Sequence, residues 1–363
     1  MLKISFRTSM FFPICFAFFT FFLFCEAQEL RQINGDLSFL LQEAQATQQR
    51  LVIFLNGLKS KYISASIVFD SGIKQMPTIQ QLLNTRWNGD ASRITDYSRA
   101  TIAVENIYQV YHCLEDIKKS SLEIVKERDN FLLPYPNKYR DINIVFRDLK
   151  NGHLGEIQIN TIPMLEFKNS SGHHLFDEVR NIQARGVQES RPLSGEEEQK
   201  IAQLTMQGII GHNNAFESSM KIANKTLRVG IYGILIYDNE VLMVKTKSGS
   251  KIIYNFPGGG VESKEGLAEA LLRECKEELN VDAIIRDRLY ISKDLYTHED
   301  FDNYMFNLYY KIEVENKDII SRGRQIDVQV NDIKWFPINK LPFDEMLPID
   351  REFIAFLQAQ QIK

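Results

Sequence analysis

The sequence of 363 residues predicts a mixed α/β protein of two domains. Three observations carry that expectation. The length exceeds that of a usual single domain, while the apolar and charged fractions are those of a soluble globular chain. Near the C-terminus, Gly258-Gly259-Gly260 turns into a helical stretch whose glutamates recur at i, i+3 and i+4, with strand-like segments on both sides. Near the N-terminus, two separated stretches of strand character, Gly89 to Val104 and Gly155 to Thr161, each carry an acidic residue.

In chain order, Lys3 and Arg7 precede an apolar run from Met10 to Phe24, followed by Cys25-Glu26-Ala27. This is the pattern of a secretory signal peptide over 1–27, and the run is short for a membrane span, which needs about 20 residues. Export to the periplasm or medium is the expectation, with an uncleaved membrane anchor as the alternative. Cleavage after Ala27 removes Cys15 and Cys25, leaving Cys113 and Cys275, so no disulfide framework is indicated. Residues 29–49 are polar and helix-permissive, and Leu51-Val52-Ile53-Phe54-Leu55 opens the apolar part of a first domain over 28–190. Arg191-Pro192 breaks the pattern. Ser194 with Glu197 then forms a capping box that opens a helix through Ile210, within a linker over 191–224. In the second domain, 225–363, Arg228 to Tyr237 reads as a strand, Asp238-Asn239 as a turn, and Val241 to Val244 as its hairpin partner. A further strand covers Tyr304 to Ile312.

Glu274, Glu277 and Glu278 lie on one helical face, where three like charges repel unless something neutralises them. Hard dications with oxygen ligands, Mg²⁺ or Mn²⁺, suit such a set and bridge to substrate phosphates. Gly259, Glu265, Arg273, Glu274, Cys275, Glu277, Glu278 and Val281 stand in the register of the Nudix box, which this segment resembles. Only Asn280 departs, standing where the family has its helix-ending glycine, and asparagine tolerates a left-handed cap next best. The resemblance implies that Glu274, Glu277 and Glu278 hold metal and that Arg273 pairs with Glu265 to orient the helix. It also implies that Gly258, Gly259 and Gly260 form the turn against substrate, with one of the glutamates or a loop residue as general base. Glu262 is an extra candidate ligand. The implied reaction is hydrolysis of a nucleoside diphosphate linked to a second group that the box does not specify.

In the first domain, Asp96 and Glu156 sit on segments that neighbouring strands would bring to one Mg²⁺. Asp96, Arg99, Thr101, then Tyr139-Arg140-Asp141-Ile142-Asn143, Glu156-Ile157-Gln158-Ile159 and Gly172-His173-His174-Leu175-Phe176 follow an order similar to the RelA/SpoT synthetase fold over about 71–180. That resemblance implies a base stacked on Tyr139, nucleotide phosphates gripped at Lys74 and Arg99, and pyrophosphate transfer or binding of guanosine tetraphosphate-type nucleotides. The chain has Lys138 and Asn143 where the family has glycine and histidine, and Gly72 and Leu82 where it has basic residues.

The formal net charge of −4 offers no field for DNA. Nucleotides, including ATP and guanine nucleotides, are the expected partners, with an RNA end as a further acceptor. His173 and His174 lack neighbours at ligand spacing and read as surface or packing residues, and His298 as a loop residue facing water.

Overall fold

The computed structural model describes residues 29–59, 61–62, 66–68, 72–223, 225–248, 251–262, 265–298, 301–316, 318, 320 and 330–361. The expected leader, 1–27, lies outside them. No helix among the described residues is long and apolar enough to cross a membrane.

The first half opens with helix α1 (Leu37–Lys59), whose buried Leu40, Ala44, Thr47, Gln48, Leu51, Leu55 and Leu58 fall at helical spacing. The apolar run at 51–55 is thus the last part of one long helix and not the start of a domain. Strand β1 (Ser66–Val68), helix α2 (Met76–Thr85), strand β2 (Ser98–Val104), helix α3 (Ile107–Lys118) and strands β3 (Glu123–Asp129), β4 (Ile142–Arg147) and β5 (Leu154–Thr161) follow. They make one five-stranded sheet in the order β1-β2-β5-β4-β3. Only β2 and β5 run parallel, pairing Arg99 with Glu156 and Thr101 with Gln158. Because paired residues share a face, Arg99, Glu156, Val145, Thr101, Gln158 and Asn143 all point to one side of the sheet. The other side packs on α3, which buries Ile107, Val110, Tyr111, Cys113, Leu114 and Ile117.

Helices α4 (Ile162–Phe167), α5 (His173–Gln188) and α6 (Gly195–Ser219) come next. The capping box at Ser194 and Glu197 forms as expected, and the helix it opens continues past Ile210 to Ser219. Its inner face meets the first half: His212 Nδ1 lies 2.8 Å from the Asn137 carbonyl, and the Ser219 hydroxyl lies 2.7 Å from that of Thr161.

The second half contains β6 (Lys221–Ile222), β7 (Lys225–Ile234), β8 (Ile236–Tyr237), β9 (Glu240–Ser248), β10 (Lys251–Asn255), β11 (Gly258–Gly260), helix α7 (Leu267–Leu279), β12 (Ile284–Ile291), β13 (Tyr296–His298), β14 (Phe301–Glu313), β15 (Val330–Pro337) and helix α8 (Pro348–Gln361). Asp238 and Asn239 both take positive φ, 48° and 66°, as a two-residue hairpin turn between β8 and β9 requires. One sheet has the order β10-β9-β15, and the other β11-β7-β14-β12 with β7 and β14 parallel. Along β7, Leu227, Val229 and Ile231 join the core beneath α7, while Tyr232 and Ile234 join a second core with Phe353, Ile354 and Leu357 of α8. The sheet is therefore buried on both faces.

The two halves share one hydrophobic core that runs from Leu51 through Tyr111, Phe131 and Phe216 to Leu227, Leu271 and Phe306. Polar contacts frame it. Arg288 of β12, with a side chain 5 % exposed, meets Asp129 and Glu127 of β3, each at 3.2 Å. His112 and Tyr108 of α3 reach the backbone carbonyls of Ser292 and Lys293 at 3.2 and 2.7 Å.

Candidate functional sites

The carboxylate face of α7 is built on glycines. Gly258 has φ +141°, and a side chain there would stand 2.2 Å from the Ile231 carbonyl oxygen. Its N–H donates to Glu278 Oε2 at 2.8 Å. At Gly259 a Cβ would sit 2.4 Å from Glu274 Oε1, so the missing side chain is the space that the Glu274 carboxylate occupies. Glu269 Oε2 accepts from the Gly266 N–H at 2.7 Å to cap the helix start, and Asn280, at φ 57° and ψ 37°, ends it in the left-handed conformation its position calls for.

Arg273 joins the face together. Its guanidinium donates to Glu265 through Nε and Nη2 at 2.9 and 3.0 Å, and through Nη1 to Glu274 and Glu277 at 2.9 and 3.1 Å. The Arg273–Glu265 pair expected from the motif is present, and the same side chain also holds two of the three glutamates. Glu278 is buried, and its carboxyl is pushed up to about 8, first by burial and then by Glu274 and Glu277, against the Gly258 N–H. Burial also raises Glu274, against its bond to Arg273.

The three glutamates lie within one turn but do not converge on a point: among the described residues no group of three His, Cys, Asp or Glu is placed to hold a metal ion. Glu278 turns to Gly258 while Glu274 and Glu277 turn to Arg273, as like charges do when the available cation is a guanidinium. The residues nevertheless fit a hard dication. The donors are all carboxylate oxygens, room for one is carved at Gly259, and a buried carboxyl at Glu278 would be ionised by a neighbouring positive charge.

A second constellation lies on the open face of the first sheet. A cleft of about 660 Å³ is lined by Asp96 and Glu156 together with Lys74, Arg93, Arg128 and Tyr135. Lys74, 8 % exposed, pairs with Asp96 at 2.5 Å. Glu156 accepts from Gln158 Nε2 at 2.9 Å, and its carboxyl is raised by burial and by Asp96. Both acids line this cleft, Glu156 from β5 and Asp96 from the segment just before β2, while much of the rest of the wall is not apparent in the sequence. Trp87 lies beneath the guanidinium carbons of Arg86 and Arg93 at 4.6 and 4.4 Å, and Arg128 stands 4.4 Å over Tyr135. Lys126 and Arg128, two apart on a strand, are the one local signal that points to this face.

Arg99 and Glu156 also line an adjoining cleft of about 350 Å³ with Gln158, Lys168, Asn169 and His173. Glu156 is the wall common to both. His173 lines this cleft, where the sequence suggests only surface or packing, and the His174 side chain is 81 % exposed. Tyr139 is placed differently from the expected stacking platform. Its hydroxyl bonds Asp141 at 3.2 Å, Asn160 at 2.8 Å and Lys168 at 3.1 Å, and its ring packs edge-on to His212 of α6 at 5.6 Å. The aromatic side chain that lines the larger cleft from this loop is Tyr135.

Residues 226–357 match the family model described as the NUDIX domain. Solved structures similar to parts of the chain include a MutT protein from Methanosarcina mazei Go1, 16 % identical over 39 % of this chain and 99 % of that one, with a TM-score of 0.33. A GTP pyrophosphokinase family protein from Streptococcus pneumoniae is 19 % identical over 50 % of this chain and 90 % of its own, with a TM-score of 0.37. The small alarmone synthetase 1 from Bacillus subtilis is 14 % identical over 51 % and 93 %, also with a TM-score of 0.37. No curated protein matches the sequence.

Proposed function

We propose, from the Nudix domain at residues 226–357, that the chain hydrolyses a nucleoside diphosphate linked to a second group. The observation that carries this is the seating of Glu274, Glu277 and Glu278 around Arg273 and against the Gly258–Gly260 turn. Bound Mg²⁺ or Mn²⁺ would neutralise the diphosphate and make its coordinated water acidic. The chain's own contribution is positional. Gly258 fixes Glu278 by its N–H, Arg273 links Glu274 and Glu277 to Glu265, and the missing side chain at Gly259 is the space that the Glu274 carboxylate fills.

For the first half, the two clefts that share Glu156 support a nucleotide site with pyrophosphate transfer as its chemistry, a phosphate donor on the cationic side and an acceptor on the other. A guanosine tetraphosphate-type nucleotide would then be common currency between a half that makes or binds it and a half that cleaves it. The leader over 1–27 supports export, and with it an effector role in which the first half modifies a nucleotide or RNA end of another cell.

Purified full-length protein with Mg²⁺ and a panel of nucleotides tests these readings. Release of phosphate or nucleoside monophosphate, reduced about a hundredfold or more in the Glu277→Gln, Glu278→Gln double variant, supports the hydrolase; unchanged turnover in that variant sinks it. In the same panel, transfer from ATP to GDP, GTP or an RNA end, abolished by Asp96→Asn, separates a transferase from a non-catalytic nucleotide sensor. Growth arrest on cytoplasmic expression without the leader, relieved by Glu156→Ala, is the result the effector role requires.

A further inference from the structure

The C-terminal end of α6, the start of β7 and the residues that follow β11 line a cavity of about 300 Å³, with Phe216, Glu217, Met220, Arg228, Glu262 and Asn303 among its walls. Phe216 is 3 % exposed, and the Arg140 guanidinium lies 4.1 Å over its ring, so the first half sets the position of this wall. The cavity adjoins the carboxylate face through a short piece of chain. Gly259 gives Glu274 its space, the Arg228 guanidinium comes within 3.6 Å of where a Gly260 side chain would begin, and Glu262 lines the cavity. At about 3.3 Å per extended residue, Gly259 and Glu262 are on the order of 10 Å apart. A ribose with its phosphate can bridge that separation.

The lining suits a flat group with polar edges better than a second phosphate. Phe216, Met220, Leu227 and Val261 supply apolar wall, the carboxylates of Glu217 and Glu262 offset the charges of Lys221 and Arg228, and the Asn303 amide adds a neutral donor and acceptor. We propose that this cavity receives the nucleobase of the diphosphate cleaved at the carboxylate face. Helix α6 is then a specificity-determining element of that reaction, although it lies outside the residues matched to the Nudix domain. The proposal rests on the hydrolytic reading of α7.

The test uses the full chain, Met220→Trp to fill the cavity, and Thr226→Trp, at an exposed lining position, as the alternative filling if the first variant does not fold. With Mg²⁺ and nucleoside diphosphate compounds of different bases, the filled variant is expected to raise KM about tenfold or more while kcat stays within about threefold. Calorimetry without metal, using AMP, GMP, CMP and UMP, is expected to show binding of at least one monophosphate that weakens by the same factor in the filled variant. That binding should persist in the Glu277→Gln, Glu278→Gln protein, which separates base recognition from hydrolysis. Turnover with KM unchanged within about twofold in both filled variants overturns the cavity proposal and leaves the hydrolase standing. Filling-sensitive monophosphate binding in a wild-type protein that cleaves no diphosphate overturns the hydrolase and leaves a base site. Neither turnover nor filling-sensitive binding overturns both.

Discussion

Asp350, in the first turn of α8, is 1 % exposed, with Oδ1 accepting from the Tyr309 hydroxyl at 2.7 Å and from the Asn307 amide at 3.4 Å. Its Oδ2 and the Oδ1 of Asn307 are both buried without a partner. Burial raises the carboxyl from 3.8 to about 6. A carboxyl raised on folding stabilises the protein while protonated, so the contribution is complete below 3.8 and is lost as the pH rises through about 6. Asp350→Asn keeps the acceptor for Tyr309, supplies an amide donor near Asn307 and cannot ionise. Its unfolding midpoint should therefore match wild type near pH 4 and exceed it at pH 8, by the equivalent of about 1–3 kcal/mol. A midpoint equal to or below wild type at pH 8 would show that the carboxylate is not the cost. None of this is legible in sequence, because Asn307 and Asp350 meet only once β14 and α8 have packed together. Glu274, Glu277 and Glu278 are the opposite case, since one helix period sets their shared face.

Helix α7 is the element the sequence describes most completely. Its N-terminal glycine, the Glu269 cap, the Arg273–Glu265 pair and the Asn280 stop are determined within one short stretch. The left-handed φ at Asn280 carries a prediction. Asn280→Gly should leave stability nearly unchanged, whereas Asn280→Val should cost about 1–2 kcal/mol in denaturant unfolding and reduce turnover as the last helical turn frays. Equal stability of the valine variant would mean that the chain after α7 takes another path. Helix α1 shows the limit of the same kind of reading. The polar residues before Leu51 hide the continuity of the buried positions from Leu40 to Leu58, and their partners on β2 are far along the chain. The wall of the first cleft is hidden for the same reason: Trp87 from the turn after α2, Arg128 from β3 and Tyr135 from the loop after β3 come together only in the folded domain.

At the scale of the molecule, a sequence division into two domains captures the two sheet systems but not the core that joins them. Arg288 belongs to the second half and its partners Asp129 and Glu127 to the first, so this buried ion-pair cluster exists only when the halves are docked. Trp87 stands in one half and Trp335 in the other, and they are the chain's two tryptophans. Fluorescence of Trp87→Phe and Trp335→Phe variants should therefore report one coincident denaturant transition, and separated midpoints would show that the halves unfold independently.

The shared core also bears on how the chain leaves the ribosome. Tyr111, Phe131 and Phe216 emerge before the residues that complete their packing, from Leu227 to Val314, have been made. The first half then waits with an apolar surface open until most of the second is synthesised, a delay that favours post-translational closure and a holding chaperone in between.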